Sequence, residues 1–213
     1  MEFERLLELV GDEPLFETAL LLAGEVDPNY LRLQLTRWKN AGRIYQLRRG
    51  LYALAPPYQK VKPHPFVIAN RLRVASYVSL QSALAFYGMI PENVLQTTSV
   101  TGGRPGLWET PLGVYRYQHI RPALLRGARL MEVTDGQQAL VARPEKALLD
   151  LIYLQPGGDD PAWLRSLRLQ NLERLNPQEL SRQAALFDAP KIYRAVDVLL
   201  PWVEAAAEEY ESL

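Results

Sequence analysis

Residues 27–54 read DPNYLRLQLTRWKNAGRIYQLRRGLYAL, and two periodicities share that stretch. In its first half Leu31, Leu35 and Trp38 stand at i, i+4 and i+7, the spacing of one buried helix edge. Asp27 is placed to cap this helix, Pro28 suits its first position, and Gly42 stops it after Ala41. In its second half a hairpin is expected. Residues 43–47 form one strand, Arg48-Arg49-Gly50 turn, and residues 51–54 return. Gly50 supplies the positive φ that such a turn needs.

Upstream, Phe3, Leu6, Leu7 and Val10 recur at helical spacing and Gly11 ends that helix. Phe16, Leu20, Leu21 and Ala23 predict a second helix, closed by Gly24. Helix, turn, helix and hairpin within about fifty residues is the order of a winged helix-turn-helix. The expected division is therefore a winged helix-turn-helix over residues 1–58, a linker over 59–65 stiffened by Pro63 and Pro65, and a second domain over 66–213.

That second domain reads as α+β: a small antiparallel sheet and several helices. Phe66, Ile68 (or Ala69) and Leu72 predict one helix. Ser79 is placed to cap another, with Leu80, Ala83, Leu84 and Tyr87 inward. Strands are expected over 97–101, 113–120, 129–134 and 137–142, the last two joined by the hairpin signal Asp135-Gly136. Residues 102–111 read as a long mobile loop. Pro144, Pro161 and Pro190 each open a helix. Asn176-Pro177-Gln178-Glu179 has the form of a capping box.

Charge is distributed unevenly. The chain holds 24 basic and 24 acidic side chains, yet residues 28–91 carry ten lysines and arginines and no acid. Residues 1–27 carry eight acids against one arginine. A positive stretch inside a neutral chain concentrates polyanions at one face. With Leu31, Leu35 and Trp38 inward, Asn29, Thr36 and Asn40 point outward, flanked by Arg32 and Arg37, with Lys39 on the same helix. Arginine pairs bidentately with guanine and asparagine with adenine, so this face suits base edges. Leu33 falls on it too. Arg43, Arg48 and Arg49 sit at the base and tip of the hairpin, and Lys60 and Lys62 extend the strip toward phosphates.

Catalytic patterns are sparse. No carboxylate or second histidine stands at metal-ligand spacing from His64 or His119. The Lys146–Asp150 pair at i, i+4 reads as a surface ion pair, and Glu145 as a first-turn carboxylate favoured by the helix dipole. Trp108 reads either as an exposed partner anchor or as packed on the sheet. The chain has no cysteine, which removes disulfides and thiolate metal sites and fits a reducing cytosol. No metal, cofactor or enzymatic activity is expected. No signal peptide and no membrane-spanning run is expected, and the expected location is cytoplasmic.

Several blocks together resemble a known family. They are Arg49-Gly50-Leu51-Tyr52-Ala53-Leu54, SYVSLQSALAFYGMIPE over 76–92, GVYRYQHI over 113–120 and VARPEKALLDLIYL over 141–154. In this order they resemble the AbiEi-like antitoxins, transcriptional regulators of the abortive-infection AbiE toxin–antitoxin systems of phage defence. The resemblance implies an N-terminal winged helix that represses its own promoter at an inverted repeat in double-stranded DNA, and a C-terminal domain carrying antitoxicity. It implies a nucleotidyltransferase-like toxin as functional partner, counteracted in type IV fashion without a stable complex. The alternatives are a module that binds the toxin or another partner directly, and a solitary regulator without a toxin.

Overall fold

The computed structural model describes residues 1–22, 27–92 and 94–211. The first part of the chain runs α1 (Phe3–Val10), β1 (Phe16–Glu17), α2 (Thr18–Leu21), α3 (Pro28–Asn40), β2 (Ile44–Arg48) and β3 (Leu51–Leu54). Its three strands form an antiparallel sheet in the order β1-β3-β2. Asp27 caps α3 by accepting from the Asn29 amide at 2.8 Å. Leu31, Leu35 and Trp38 are buried, and the Phe3 ring of α1 meets Trp38 edge-on at 5.4 Å. Gly50 turns the hairpin with φ +81°.

The expected helix over 16–23 is shorter than its pattern. Phe16 and Glu17 leave it as β1, opposite Tyr52 and Leu51, and the helix keeps Thr18–Leu21. Ala23 and Gly24, expected at its end, lie outside the described residues. Pairing as a strand covers the open edge of β3 and stacks the Phe16 ring on Tyr52 at 5.6 Å, which helical periodicity does not register.

The rest of the chain is α+β. Helix α4 (Pro65–Leu72) is followed by β4 (Ser76–Val78), α5 (Leu80–Phe86), β5 (Thr97–Thr101), β6 (Gly106–Thr110), β7 (Gly113–His119), β8 (Ala128–Thr134) and β9 (Gln137–Ala142). Then come α6 (Pro144–Leu154), α7 (Pro161–Ser166), α8 (Pro177–Phe187) and α9 (Pro190–Glu211). The sheet is not the small antiparallel one expected. It has six strands in the order β6-β7-β5-β4-β9-β8, with β4–β9 and β5–β7 parallel. Hairpin signals identify only strands adjacent in sequence, whereas β4 and β9 meet across more than fifty residues.

Helix α4 packs on β4 and β9, and α6 on α5, α8 and α9. The main core spans this sheet and these helices, and Leu15, Leu47, Leu51 and Ala53 join it from the first part of the chain. A second core gathers Phe3, Leu6, Val10, Leu31, Leu35, Trp38 and Ile44. The segment 59–65 is fastened to β9. Gln137 accepts from the His64 amide at 2.9 Å and donates to the Lys62 carbonyl at 3.0 Å. Among the described residues no helix is long and apolar enough to cross a membrane.

Candidate functional site

Helix α3 is buried along one edge and open along the other. Asn29, Arg32, Thr36, Arg37, Lys39 and Asn40 are all exposed, as the phase of Leu31, Leu35 and Trp38 requires. Arg32 reaches back to Asn29 Oδ1 at 3.4 Å, a weak contact. The Thr36 hydroxyl donates to the Arg32 carbonyl at 2.9 Å, so it retains only acceptor capacity. Arg37 and Lys39 lie in the last turn, where the helix dipole favours cations, and neither forms an ion pair among the described residues. Arg43 follows with its guanidinium 4.9 Å over the Phe3 ring, which ties it to α1 while leaving it exposed.

The hairpin splits its arginines. Arg49 stands exposed at the tip. Arg48 folds inward: it donates to the Arg71 carbonyl at 3.2 Å and to the Arg49 carbonyl at 3.1 Å, and lies 3.6 Å from Glu17. Glu17 also lies 3.7 Å from Arg71. Lys60 pairs with Asp12 at 3.3 Å, whereas the Lys62 side chain is exposed and unpaired among the described residues. The stretch without acids is therefore acid-free only along the chain. In space Asp12 and Glu17, from the acidic residues 1–27, return to it. Counting charge by segment could not register that return, although those eight acids were its visible counterpart.

The Lys146–Asp150 pair is not on the surface. Lys146 is 1% exposed and Asp150 0%. Lys146 Nζ donates to Asp150 Oδ1; Ser79 Oγ and Tyr77 OH donate to Asp150 Oδ2 at 2.8 and 3.1 Å. Ser79 stands at the N-cap position of α5 but makes no cap bond, because its hydroxyl is committed to Asp150. Burial pushes the Asp150 carboxyl up and the Lys146 ammonium down; their mutual attraction opposes both. The ammonium also lies 4.6 Å from the Phe187 ring centroid. Glu145 is buried as well and accepts from the Asn176 amide at 2.9 Å. That bond leaves the expected capping box half formed: Asn176 caps the Glu179 amide at 2.8 Å, but Glu179 turns to Arg182 and Gln183. Hydroxyl, amine and carboxylate make a chemically capable set, yet all are closed to solvent. What they do in this arrangement is tie β4 to α6.

The remaining singled-out residues have structural partners. His64 caps α4, its Nδ1 accepting from the Phe66 amide at 3.2 Å. His119 Nδ1 lies 2.9 Å from the Gly103 carbonyl oxygen. Trp108 belongs to β6 in the stretch expected as a loop, edge-on to Tyr117 at 5.1 Å. No group of three or more His, Asp or Glu residues that could hold a metal occurs among the described residues. A groove of about 620 Å³ lies on the β5–β7 side of the sheet, with Gln81, Thr98, Arg116 and Gln118 in its lining.

No protein-family model and no curated protein matches the chain. In fold it is similar to the crystal structure of Rv2827c protein from Mycobacterium tuberculosis, with a TM-score of 0.54 and 16% identity over 94% of this chain and 76% of that one. At that identity the likeness concerns the fold alone.

Proposed function

We propose that this chain is a DNA-binding transcriptional regulator that docks α3 in the major groove, and that it serves as autorepressor and antitoxin of an AbiE-like system. The observation that carries the DNA reading is the exposed face of α3. It presents two asparagines, a threonine and three cations, and α3 contains no acid. The order α1-β1-α2-α3-β2-β3 with sheet order β1-β3-β2 supports a winged helix-turn-helix, with α3 as recognition helix and the β2–β3 hairpin as wing. Arg49 at the wing tip suits a phosphate or the minor groove. The antitoxin role and the nucleotidyltransferase-like partner rest on the sequence blocks alone.

The test is a gel shift with DNA from upstream of the chain's own gene against a scrambled duplex at physiological salt. Tighter binding to the upstream DNA is expected, and equal affinity for both would overturn the reading. Among the candidate DNA-contacting cations, those not engaged by a carboxylate of the described residues are Arg32, Arg37, Lys39, Arg43, Arg49 and Lys62. If these meet phosphates, log K falls against log salt with a slope of about −5, roughly a thousandfold between 50 and 200 mM. For the antitoxin role, co-expression with the neighbouring nucleotidyltransferase-like protein should relieve its growth arrest; persistent arrest would sink that part.

A further inference from the structure

Two large hydrophobic side chains of α3 are exposed, Tyr30 to one side and Leu33 on the outward line of amides. Leu33 is 48% exposed. At 100° per residue it projects within roughly 20° of diametrically opposite the Leu31–Leu35–Trp38 edge. Asn29 and Asn40 lie beside it on that outward line, and Arg32 and Arg37 stand on its two flanks. A solitary exposed leucine needs no explanation. An apolar side chain at the crest of a docking helix, with amides along it and guanidiniums on either side, calls for a surface that is apolar at its centre and anionic at both margins.

Resting on the DNA reading above, we propose that Leu33 is a specificity-determining residue that selects thymine by packing on its C5-methyl group. The major groove offers that combination. Thymine methyls are the apolar feature of its floor, phosphates line both walls, and its width of about 12 Å matches a helix with its side chains. A protein surface covering Leu33 would have to bury Arg32 and Arg37 with it and supply carboxylates for both. Asparagine at 29 or 40 would then read the adenine of a neighbouring or the same base pair.

The experiment selects binding sites for the full chain from a random duplex pool, then replaces each thymine of the recovered site with deoxyuridine, which lacks only the methyl. One thymine per half-site should respond, with affinity falling about fourfold, the worth of one buried methyl. Leu33→Ala should bind the thymine and uracil duplexes alike, and 5-methylcytosine at that position should be preferred over cytosine by the wild type alone. Circular dichroism verifies that the exposed substitution leaves the fold intact. DNA binding with no methyl-sensitive position, or methyl sensitivity that survives in Leu33→Ala, would overturn the inference and leave DNA binding standing. Absence of salt-sensitive binding to any duplex would overturn both. Reduced self-association of Leu33→Ala with unchanged DNA selection would reassign the residue to a protein contact.

Discussion

Lys146 and Asp150 show what spacing conveys and what it omits. Their i, i+4 separation was enough to pair them, but it says nothing of depth. The depth appears only in the fold: residues 145–152 are all buried, whereas at 100° per residue Ala147, Leu148, Leu149, Leu151 and Ile152 span about 200° and leave Lys146 and Asp150 on the remaining arc, where a solvent face would be read. A charged pair buried on that arc has to bring further donors, here Ser79 and Tyr77. Lys146→Met should therefore destabilise the fold by about 3–5 kcal/mol in urea unfolding, because it strands a fully buried carboxylate. The pH dependence follows from the direction of the Asp150 shift. Burial raises its folded pKa above the unfolded value, so the variant folds with a neutral acid in acid solution. Its deficit should shrink as pH is lowered from neutrality toward about 4, the usual carboxylate range. A deficit independent of pH would mean that water reaches the site.

Elements whose ends carry chemical punctuation were readable. Helix α3 has Asp27, Pro28 and Gly42; α8 has Asn176 and Pro177; the β8–β9 hairpin has Asp135-Gly136. Strands β4 and β6 were not. Strand β4 is only three residues long and buried on both faces, so it offers no alternation to detect. In β6 the alternation is present, but Leu107 faces solvent and Trp108 faces the sheet, which masks it in hydropathy. The punctuation carries measurable weight at α3. Asp27→Ala removes the acceptor for the Asn29 amide and should cost about 1 kcal/mol of stability. It should also weaken DNA binding, since Asn29 and Arg32 lie in the turn that would fray. By contrast Arg37→Ala, at the other end of the helix, should cost no more than about 0.5 kcal/mol of stability, the size of an exposed last-turn charge, and lose about 1–3 kcal/mol of binding to the preferred sequence. An equal loss on scrambled DNA would place Arg37 on phosphate rather than on a base.

The charge of the chain as folded differs from its charge as written, and the difference converges on Glu17. Strand β1 carries this acid to the β3 edge, within 3.6 Å of Arg48 and 3.7 Å of Arg71. Arg48 in turn donates to the Arg71 carbonyl, so one carboxylate holds the root of the wing to the C-terminal end of α4. Two consequences oppose each other. Glu17 cancels positive potential at the root of the proposed wing, 3.6 Å from Arg48, where the Debye length is about 10 Å at 0.1 M salt. It also orients the hairpin that presents Arg49. Its side chain is 40% exposed, so solvent screens the pairs, and each contributes little to stability. The Arg48 bonds to main-chain carbonyls remain when the acid is neutralised. The electrostatic consequence should then dominate. Glu17→Gln is expected to tighten DNA binding up to about fivefold, the ceiling set by roughly 1 kcal/mol for one exposed charge pair, with a steeper salt dependence and an unchanged melting temperature. Fluorescence anisotropy across a salt series reads both quantities. Weaker binding with an unchanged slope would instead assign Glu17 to positioning: the acid would then be part of the apparatus that aims the wing, and the acidic residues 1–27 would act on DNA recognition through geometry rather than through field.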